Sequence, residues 1–249
     1  MAIQDQLQGK TALITGAALG LGKAIATAYV RAGITVALLD FDKTALETTT
    51  NELKAEGGTV FPYVVDLRDA DAVTATIEKA ISDLGFLDVL VNNAGILVTK
   101  SFEDHTLDDW TSVLNTNLRP PFVISKVVYP HFKTRGGGVM LFVSSASGII
   151  GFLDESAYCA SKHGLEGLMK CLAMEGEAHN IRVNTVTPGH GMHTPLSEVH
   201  YTEEQKKVWI DPMMLTPAFL ELATTTISGE RLNAWQISER IRAESGENA

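Results

Sequence analysis

Short apolar runs alternate with stretches of helical spacing along most of the chain, and this alternation constrains the fold more than any other feature. The apolar runs lie at Lys10–Thr15, Ile34–Leu39, Thr59–Val65, Leu87–Val91, Val139–Val143 and Ile181–Val186. The helical stretches lie at Lys23–Ala32, Lys43–Glu56, Asp69–Leu84, from about Asp108, and at Ala157–Ala178. Apolar strands joined through helices form parallel sheets that are covered on both faces. The sequence therefore predicts an α/β fold with a doubly wound, Rossmann-like parallel sheet of about seven strands.

The chain is expected to form one domain over residues 1–249. A length of 249 residues suits a single α/β domain, and no Pro/Gly/Ser-rich linker or internal repeat divides it. The alternation stops at an irregular segment at about 190–215, which contains Met, His and Trp residues. After it, Glu230–Trp235 is predicted to form a seventh strand, and residues 237–249 to form a polar tail.

A glycine cluster, TGAALGLG at residues 15–22, follows the first predicted strand. Glycines allow a sharp turn and a close approach of a ligand, and the following helix offers free N–H groups to a pyrophosphate. The cluster contains no Gly-Lys-Ser/Thr sequence, which disfavours a nucleoside triphosphatase. Its position in the first strand–helix unit favours a dinucleotide site over a plain turn.

Asp40 ends the second predicted strand, 24 residues after Gly16. A carboxylate at this place accepts hydrogen bonds from the adenosine ribose hydroxyls and repels a 2′-phosphate. Lys43 is the cation near it in the sequence, and the glycine turn itself contains no Arg or Lys. The cofactor is therefore expected to be NAD in preference to NADP, with a solvated strand-end aspartate as the plainer alternative.

The charge and hydropathy of the chain limit the classes of partner that are expected. The chain has 20 Lys plus Arg against 30 Asp plus Glu, a net charge of −10, which disfavours nucleic acid and anionic membranes as partners. No apolar run approaches the roughly 20 residues that span a bilayer, and the N-terminus lacks the apolar block of a signal peptide. We expect a cytoplasmic protein. Cys159 and Cys171, about 18 Å apart on one helix, are too far apart to pair and are expected to be buried.

The sequence YCASK at residues 158–162 completes a set of motifs that resembles the classical short-chain dehydrogenase/reductase (SDR) family. The other matching features are TGAALGLG at 15–22, Asp66-Leu67, NNAG at 92–95, Asn117, Ser145 and Pro188-Gly189. They follow the family's order and spacing. The resemblance implies an oxidoreductase that transfers a hydride between a nicotinamide dinucleotide and a small alcohol or carbonyl substrate.

Four residues carry the chemistry that the resemblance implies: Asn117, Ser145, Tyr158 and Lys162. Tyr158 and Lys162 are four residues apart on one helix face, where the ammonium group favours ionisation of a tyrosine whose ordinary pKa is about 10. Such tuning suits a general acid–base, and Ser145 is placed to bind the substrate oxygen. In the family, the lysine also holds the nicotinamide ribose, and the asparagine positions a water molecule in a proton relay. Singly, these residues have plainer interpretations as an exposed helix face, a turn serine and a capping asparagine.

The resemblance also assigns the cofactor-binding positions. They are Gly16, Leu19, Gly20, Leu21, Asp40, Phe41, Asp66, Leu67, Asn93, Ala94, Gly95, Thr116, Tyr158, Lys162, Pro188 and Gly189. Four residues separate Gly189 from Thr194, one more than is usual in the family, so Thr194 is not assigned to the carboxamide. His190 and His193 lack a third ligand at a recognisable spacing, and no metal site is expected.

The favoured function is NAD-dependent interconversion of a secondary alcohol and a ketone. The loop at 190–215 is expected to select the substrate. Its apolar residues either line a substrate pocket or make ordinary core or oligomer contacts; they are Met192, Tyr201, Trp209, Met213 and Met214. Asp154 and Glu155 add negative charge near the site. The alternatives are an NADPH-dependent 3-oxoacyl thioester reductase and a catalytically silent dinucleotide-binding scaffold. The resemblance further implies a homo-oligomer, a tetramer or a dimer.

Overall fold

The protein, described here by a computed structural model of residues 3–246, contains one parallel seven-stranded sheet. Residues 1–2 and 247–249 of the predicted domain and tail lie outside the described residues. The strands are β1 Thr11–Thr15, β2 Thr35–Asp40, β3 Val60–Val64, β4 Val89–Asn92, β5 Gly138–Val143, β6 Ile181–Thr187 and β7 Arg231–Asn233. Their spatial order is β3-β2-β1-β4-β5-β6-β7, and each neighbouring pair is parallel. The predicted doubly wound, Rossmann-like fold is confirmed.

Helices connect the strands and cover both faces of the sheet. They are α1 Ile3–Leu7, α2 Gly20–Arg31, α3 Lys43–Ala55, α4 Ala70–Leu84, α5 Leu107–Asn117, α6 Arg119–Arg135, α7 Ser156–Gly176, α8 Pro195–Glu198, α9 Glu203–Lys206, α10 Thr216–Leu222 and α11 Ala234–Ser245. Short 3-10 turns lie at Ala146–Gly148, Glu177–His179 and Pro212–Leu215. In the part of the chain that the structure describes, no helix is both long and apolar enough to cross a bilayer.

The central strands contribute side chains alternately to two hydrophobic cores, one on each face of the sheet. In β1, Ile14 packs in the core that contains Ile25 and Tyr29 of α2. The adjacent Leu13 packs in the opposite core, with Val128 of α6. Since successive residues of a strand point to opposite faces, a strand covered on both sides must be apolar throughout. This requirement explains the unbroken apolar runs in the sequence.

The two edge strands differ from the central ones. Pro62 in β3 has no N–H to donate, which a strand tolerates at the edge of a sheet. At the other edge, β7 pairs with β6 through only three residues, Arg231–Asn233. It is shorter than the predicted strand at Glu230–Trp235 because helix α11 begins at Ala234.

The composition of the segment 237–249 predicts a polar tail. In the structure this segment is helical as far as Ser245, the last residue of α11. Ser238 is fully buried in it: its hydroxyl donates to the Leu215 carbonyl oxygen at 3.2 Å and accepts the Ala218 N–H at 3.2 Å. Trp235 and Ile237 pack against the same core. A buried serine that satisfies backbone groups thus anchors a helix whose sequence shows few apolar residues.

The two cysteines of α7 are both free, but only Cys159 is buried; Cys171 is exposed, contrary to the expectation. The two positions lie on different sides of the helix, so the apolar character of a cysteine does not decide its burial.

Strand order places a crevice at the carboxyl ends of β1 and β4. The chain crosses from β1 to β2 on one side and later enters β4 on the other, so two connections diverge at this point. In open α/β sheets, ligands bind in the crevice outside such a switch point. The glycine turn follows β1 there, and the turn at residues 93–95 follows β4.

Replacement of Gly22 by alanine is expected to destabilise the protein by about 3 kcal/mol or more. A Cβ at Gly22 would lie 2.0 Å from the Gly16 carbonyl oxygen and 2.6 Å from Asn93 Nδ2. Gly167→Ala is the matched control, because a Cβ there meets no atom within 4 Å and alanine in a helix is favoured by about 0.5–1 kcal/mol. Urea unfolding measures both variants. Similar effects of the two substitutions would contradict the close packing of the turn.

Candidate active site

The glycine turn folds tightly against the turn that follows β4. Gly16 and Gly20 have φ values of +62° and +55°, in the left-handed region that favours glycine. A Cβ on Gly16 would lie 2.9 Å from the Cα of Ala94, which a side chain at this position would displace. The backbone of the glycine turn is therefore close to the 93–95 turn because neither Gly16 nor Gly22 carries a side chain.

Hydrogen bonds between Thr15 and the 93–95 turn fix this arrangement. The Thr15 hydroxyl oxygen accepts the N–H groups of Asn93 at 3.0 Å and Ala94 at 3.1 Å. In return, Asn93 Nδ2 donates to the carbonyl oxygens of Thr15 at 2.9 Å and Gly16 at 3.1 Å. Asn93 and Ala94 thus hold the glycine turn in place through these hydrogen bonds. Leu19, within the glycine turn, is 47% exposed.

Helix α2 begins at Gly20 without a side-chain cap, since its N-cap residue is Leu19. The first N–H groups of an uncapped helix are free to bind an anion, and the helix dipole favours negative charge there. The backbone cradle, the uncapped helix and the switch-point crevice together fit the pyrophosphate of a dinucleotide.

Asp40 lies at the end of β2, beside the glycine turn. Its Oδ2 accepts the Ala18 N–H at 3.0 Å and its Oδ1 accepts the Asp42 N–H at 3.0 Å. Each carboxylate oxygen keeps a further lone pair for a ribose hydroxyl. Lys43 points to its own partner, with its Nζ 3.8 Å from Glu47 Oε1. Asp40 therefore shapes the turn, a structural role that the sequence did not reveal.

The other residues assigned to the adenosine side differ in exposure and in hydrogen-bond partners. Phe41 is 76% exposed, directly after Asp40. Asp66 pairs with Arg68 at 2.6 Å, and this hydrogen-bonded guanidinium lowers the pKa of the Asp66 carboxyl below its usual range. Leu67 packs partly into the core and Thr116 lies half-buried in α5, where its hydroxyl donates to the Ser112 carbonyl oxygen at 2.9 Å. The Leu21 side chain is buried and packs in the core on the α2 face of the sheet.

Ser145, Tyr158 and Lys162 come together at the carboxyl end of β5 and the first turns of α7. Lys162 Nζ lies 5.5 Å from the centre of the Tyr158 ring and donates to the Val143 carbonyl oxygen at 2.8 Å. Ser145 is the second residue after β5, and its hydroxyl is close enough to the Tyr158 phenol to lower the pKa of that group. A lysine has three donors, so two remain available to Lys162 after the bond to Val143.

Desolvation is the largest influence on the pKa of Tyr158 in this structure. Desolvation raises the pKa of the phenol well above its ordinary value of 10.0, although the hydrogen bond with Ser145 lowers it. Electrostatic interactions with Glu155 and Tyr201 add to the increase. The sequence predicted the opposite direction from Lys162 alone. That prediction was wrong for the ligand-free protein, in which desolvation of the phenol is the largest cause of the shift.

Lys162 is itself buried, with 4% of its surface exposed. Burial lowers the pKa of its ammonium group from 10.5 to about 8, and the carboxylate of Glu166 acts in the opposite direction. The ammonium group therefore titrates close to neutral pH.

Asn117 is buried at the end of α5 and cross-links three segments. Its Oδ1 accepts the Ile96 N–H at 2.8 Å, and its Nδ2 donates to the Ile96 carbonyl oxygen at 2.9 Å and to Ser161 Oγ at 3.2 Å. Gly95 lies against it, since a Cβ there would be 3.4 Å from Asn117 Oδ1 and 3.8 Å from Lys162 Nζ. Both polar groups of the side chain are thus occupied in holding the turn after β4 beside Lys162.

The turn at Pro188-Gly189 is covered by the start of α11. The Trp235 N–H donates to the Pro188 carbonyl oxygen at 3.1 Å. Gly189 has a φ of +75°, and a Cβ there would lie 2.0 Å from Asn233 Oδ1. The junction of β7 and α11 therefore closes over the end of β6.

The loop at 190–215, which we call the substrate loop, folds back on itself. The His193 N–H donates to the Ile210 carbonyl oxygen and the Ile210 N–H to the Gly191 carbonyl oxygen, both at 3.0 Å. The loop also meets the glycine turn, since a Cβ on Gly20 would lie 3.2 Å from the Cβ of Thr194. His193 pairs with Glu198 at 2.7 Å.

The residues predicted to line an apolar pocket separate in the structure. Tyr201 and Trp209 have ring centres 5.4 Å apart, and the Tyr201 hydroxyl reaches Glu155 beside Tyr158. Met213 and Met214, in contrast, lie in the 3-10 turn Pro212–Leu215, which packs on α2 and α10. Met192 packs partly against the core of α2. Tyr201 is the member of this set that the structure brings to the site.

Glu166 and Arg231 form a polar network behind the site that the sequence analysis missed. Glu166 accepts hydrogen bonds from Ser144 at 2.5 Å and from Thr185 at 2.8 Å, and Arg231 Nε lies 3.3 Å from it. Arg231 also donates to the carbonyl oxygen of Ser145 at 3.0 Å. The spacing of Glu166, four residues after Lys162 on one helix face, was the available signal. Nothing in the sequence linked Arg231 to Ser145.

The fold and the crevice define a Rossmann-type protein whose glycine turn fits a dinucleotide. The sequence matches the short chain dehydrogenase family over residues 10–205, and the chain belongs to that family of NAD(P)-binding oxidoreductases, which act on alcohols and ketones. The predicted membership of the short-chain dehydrogenase/reductase family is therefore confirmed.

Individual relatives agree with this assignment. The chain is 39% identical to a 3-oxoacyl-[acyl-carrier-protein] reductase of Thermotoga maritima over 193 residues, which is 78% of each chain. It is 34% identical to a D-threitol dehydrogenase of Mycolicibacterium smegmatis over 207 residues, 83% of this chain and 76% of the relative. A crystal structure from Beutenbergia cavernae, of a proposed NAD(P)-dependent gluconate 5-dehydrogenase with NADP at low occupancy, superposes with a TM-score of 0.86 at 28% identity. That match covers 92% of this chain and 97% of the other.

Lys162 is expected to make the stability of the ligand-free protein rise with pH between about 8 and 10.5, relative to Lys162→Met. The folded protein releases this proton at about pH 8, whereas the unfolded chain holds it up to 10.5. The unfolded state therefore binds more protons in this interval, and stability increases by at most about 1.4 kcal/mol per pH unit. Urea unfolding at several pH values measures the difference. Lys170→Met, an exposed lysine of the same helix, is the control, and parallel curves for wild type and Lys162→Met would contradict the lowered pKa.

Proposed function

We propose that the protein interconverts a secondary alcohol and a ketone with NAD as the cofactor, and that Tyr158 is the general acid–base. The observation that carries the proposal is the assembly of Tyr158, Lys162 and Ser145 at the carboxyl end of the sheet. This group lies next to a glycine turn that fits a dinucleotide. A protein of this fold that only bound a dinucleotide would not need these three side chains to be close together.

Tyr158 would transfer the proton at its phenol oxygen, and the Ser145 hydroxyl would hold the substrate oxygen beside it. The nicotinamide, when bound, supplies or accepts the hydride. Lys162 would use its two remaining donors on the cofactor ribose and on water, while its bond to Val143 keeps the ammonium group in place. Asn117 would act by holding the turn after β4 in position, because its side chain is occupied by Ile96 and Ser161.

The raised pKa of Tyr158 has a consequence for the two directions of the reaction. A protonated phenol is ready to donate to a ketone oxygen, so reduction begins from the resting form at neutral pH. Oxidation of an alcohol requires the phenolate, which alkaline pH produces. The same residues therefore support both directions with different pH dependence.

The preference for NAD rests on Asp40. Its carboxylate stands beside the turn, and Lys43, the cation nearest in sequence, is directed at Glu47. The Arg68 guanidinium is similarly paired with Asp66. A 2′-phosphate would meet the charge of Asp40 there, whereas two ribose hydroxyls would find acceptors.

A second candidate is reduction of a 3-oxoacyl thioester with NADPH, which the 39% identical relative favours. Asp40 opposes the NADPH part of this alternative. A catalytically silent scaffold is disfavoured by the assembled Asn117, Ser145, Tyr158 and Lys162, since dinucleotide binding alone requires no acid–base. Oligomerisation as a tetramer or dimer, and a cytoplasmic location, stay predictions.

Tyr158→Phe is expected to lower kcat at least about 100-fold and to leave the Kd for NADH within about threefold, because it removes the proton donor but keeps the ring. A panel of secondary alcohols and ketones followed by NADH absorbance measures turnover, and fluorescence titration measures binding. Tyr129→Phe is the matched control, since that hydroxyl bonds to Glu175 away from the site. Unchanged turnover in Tyr158→Phe would refute the assignment.

Asp40→Asn is expected to weaken NADH binding about tenfold, because it removes a charged acceptor. The ratio of the Kd for NADPH to the Kd for NADH is expected to fall. Asp42→Asn is the control, since asparagine and aspartate cap a helix equally well and Asp42 caps α3. Tighter binding of NADPH than of NADH by the wild-type protein would refute the NAD preference.

A further inference from the structure

Glu155 is a buried carboxylate, 5% exposed, three residues before Tyr158. It occupies the N-cap position of α7, yet its side chain does not cap the helix. The preceding residue, Asp154, has a φ of +62°, a left-handed conformation that costs energy for a residue other than glycine. The Glu155 side chain is thus free of the helix end and available for other hydrogen bonds.

The carboxylate instead joins the substrate loop to the site. Its Oε1 accepts the Tyr201 hydroxyl at 3.1 Å, and its Oε2 accepts the Ser147 hydroxyl at 3.1 Å. Ser147 Oγ in turn accepts the Ser145 hydroxyl at 3.2 Å. A continuous line of hydrogen bonds therefore runs from the group proposed to hold the reacting oxygen to a buried carboxylate and on to the substrate loop.

The charge of Glu155 reaches the phenol as well. Glu155 and Tyr201 both raise the pKa of Tyr158, so both lie within electrostatic range of its oxygen. Burial and Glu155 raise the pKa of Tyr201 to about 12, which keeps that hydroxyl protonated as a donor. Glu155 and Tyr201 therefore lie close to the phenol oxygen that is proposed to exchange the proton.

An ionised carboxylate has about four lone-pair positions, and the described side chains supply two hydroxyl donors to this one. A substrate hydroxyl would add a donor to a buried charge that benefits from it. A substrate carboxylate or phosphate would be repelled, and an alkyl group would leave the remaining positions without a donor. A buried ammonium group would have to lose its water for an ion pair, which is costly.

We propose that Glu155, with Ser147 and Tyr201, forms a subsite for a second hydroxyl group beside the reacting carbon, so that the substrates are diols or polyols and the matching hydroxyketones. The inference rests on the proposed function and adds the substrate class. Glu155 is a specificity-determining residue in this assignment, and Tyr158 keeps its role for every alcohol.

The test compares kcat/KM for four matched compounds oxidised with NAD: 2,3-butanediol, 2-butanol, 3-hydroxybutyrate and 3-amino-2-butanol. The wild-type protein is expected to favour the diol over 2-butanol at least about tenfold, the effect of one hydrogen bond to a charged group. Glu155→Gln is expected to lower the ratio of kcat/KM for the diol to kcat/KM for 2-butanol to within about threefold of one, because the diol loses its bond to a charged group.

Asp154→Asn is the control, because it removes the same charge one residue away at an exposed position where asparagine tolerates the positive φ. It is expected to keep the wild-type preference. The wild-type comparison needs no variant, so it tests the proposal even where Glu155→Gln does not fold.

Three results would overturn the subsite while leaving the proposed function intact: no preference for the diol in the wild type, preference for the acid or the amine, or an equal loss for diol and 2-butanol in Glu155→Gln. The last would show that Glu155 acts only through Ser145. Failure of the wild-type protein on the full alcohol and ketone panel, with intact NADH binding, would instead overturn the proposed function and the subsite with it.

Discussion

The contact between the end of β1 and the end of β4 is the constraint on which the site depends. Thr15 and Asn93 exchange four hydrogen bonds with the backbone across these strands, and the missing side chain of Gly16 lets the turns touch. This contact orients the uncapped start of α2 toward the crevice. It also positions the turn after β4, which Asn117 then ties to α7 through Ser161. The cofactor cradle and the candidate catalytic helix are therefore parts of one connected framework.

Burial of charge is the second organising feature. Lys162, Glu155 and Glu166 are each less than 7% exposed, and each has hydrogen-bond partners within the protein. Burying a charge without hydrogen-bond partners is costly. A buried charged group therefore favours the conformations in which its neighbours donate or accept those hydrogen bonds. Glu166 connects Lys162 electrostatically to β6 and to Arg231, and Arg231 reaches the backbone of Ser145. The short edge strand β7 thus contributes to the site through one arginine.

In our proposal, substrate choice depends on residues other than those that define the family. The residues that define the family lie on the sheet and on α7, and the family match ends at residue 205, within the substrate loop. The relatives named above act, by their names, on an acyl-carrier thioester and on a polyol. A shared framework can carry both chemistries, since function depends on the site and not on the fold. Glu155 and Tyr201 connect this chain's loop to its framework.

The sequence by itself determined the fold, the family and the order of the site residues, because apolar runs buried on both faces and glycines in tight turns leave patterns at fixed spacing. It predicted β1 to β6 closely and placed Ser145, Tyr158 and Lys162 together. It did not reveal the helix after residue 237, the exposure of Cys171 or the partners of Arg231. It also gave the wrong direction for the pKa of Tyr158. These properties depend on desolvation and on contacts between residues far apart in the chain, such as Arg231 and Ser145, and only the tertiary structure brings those groups together.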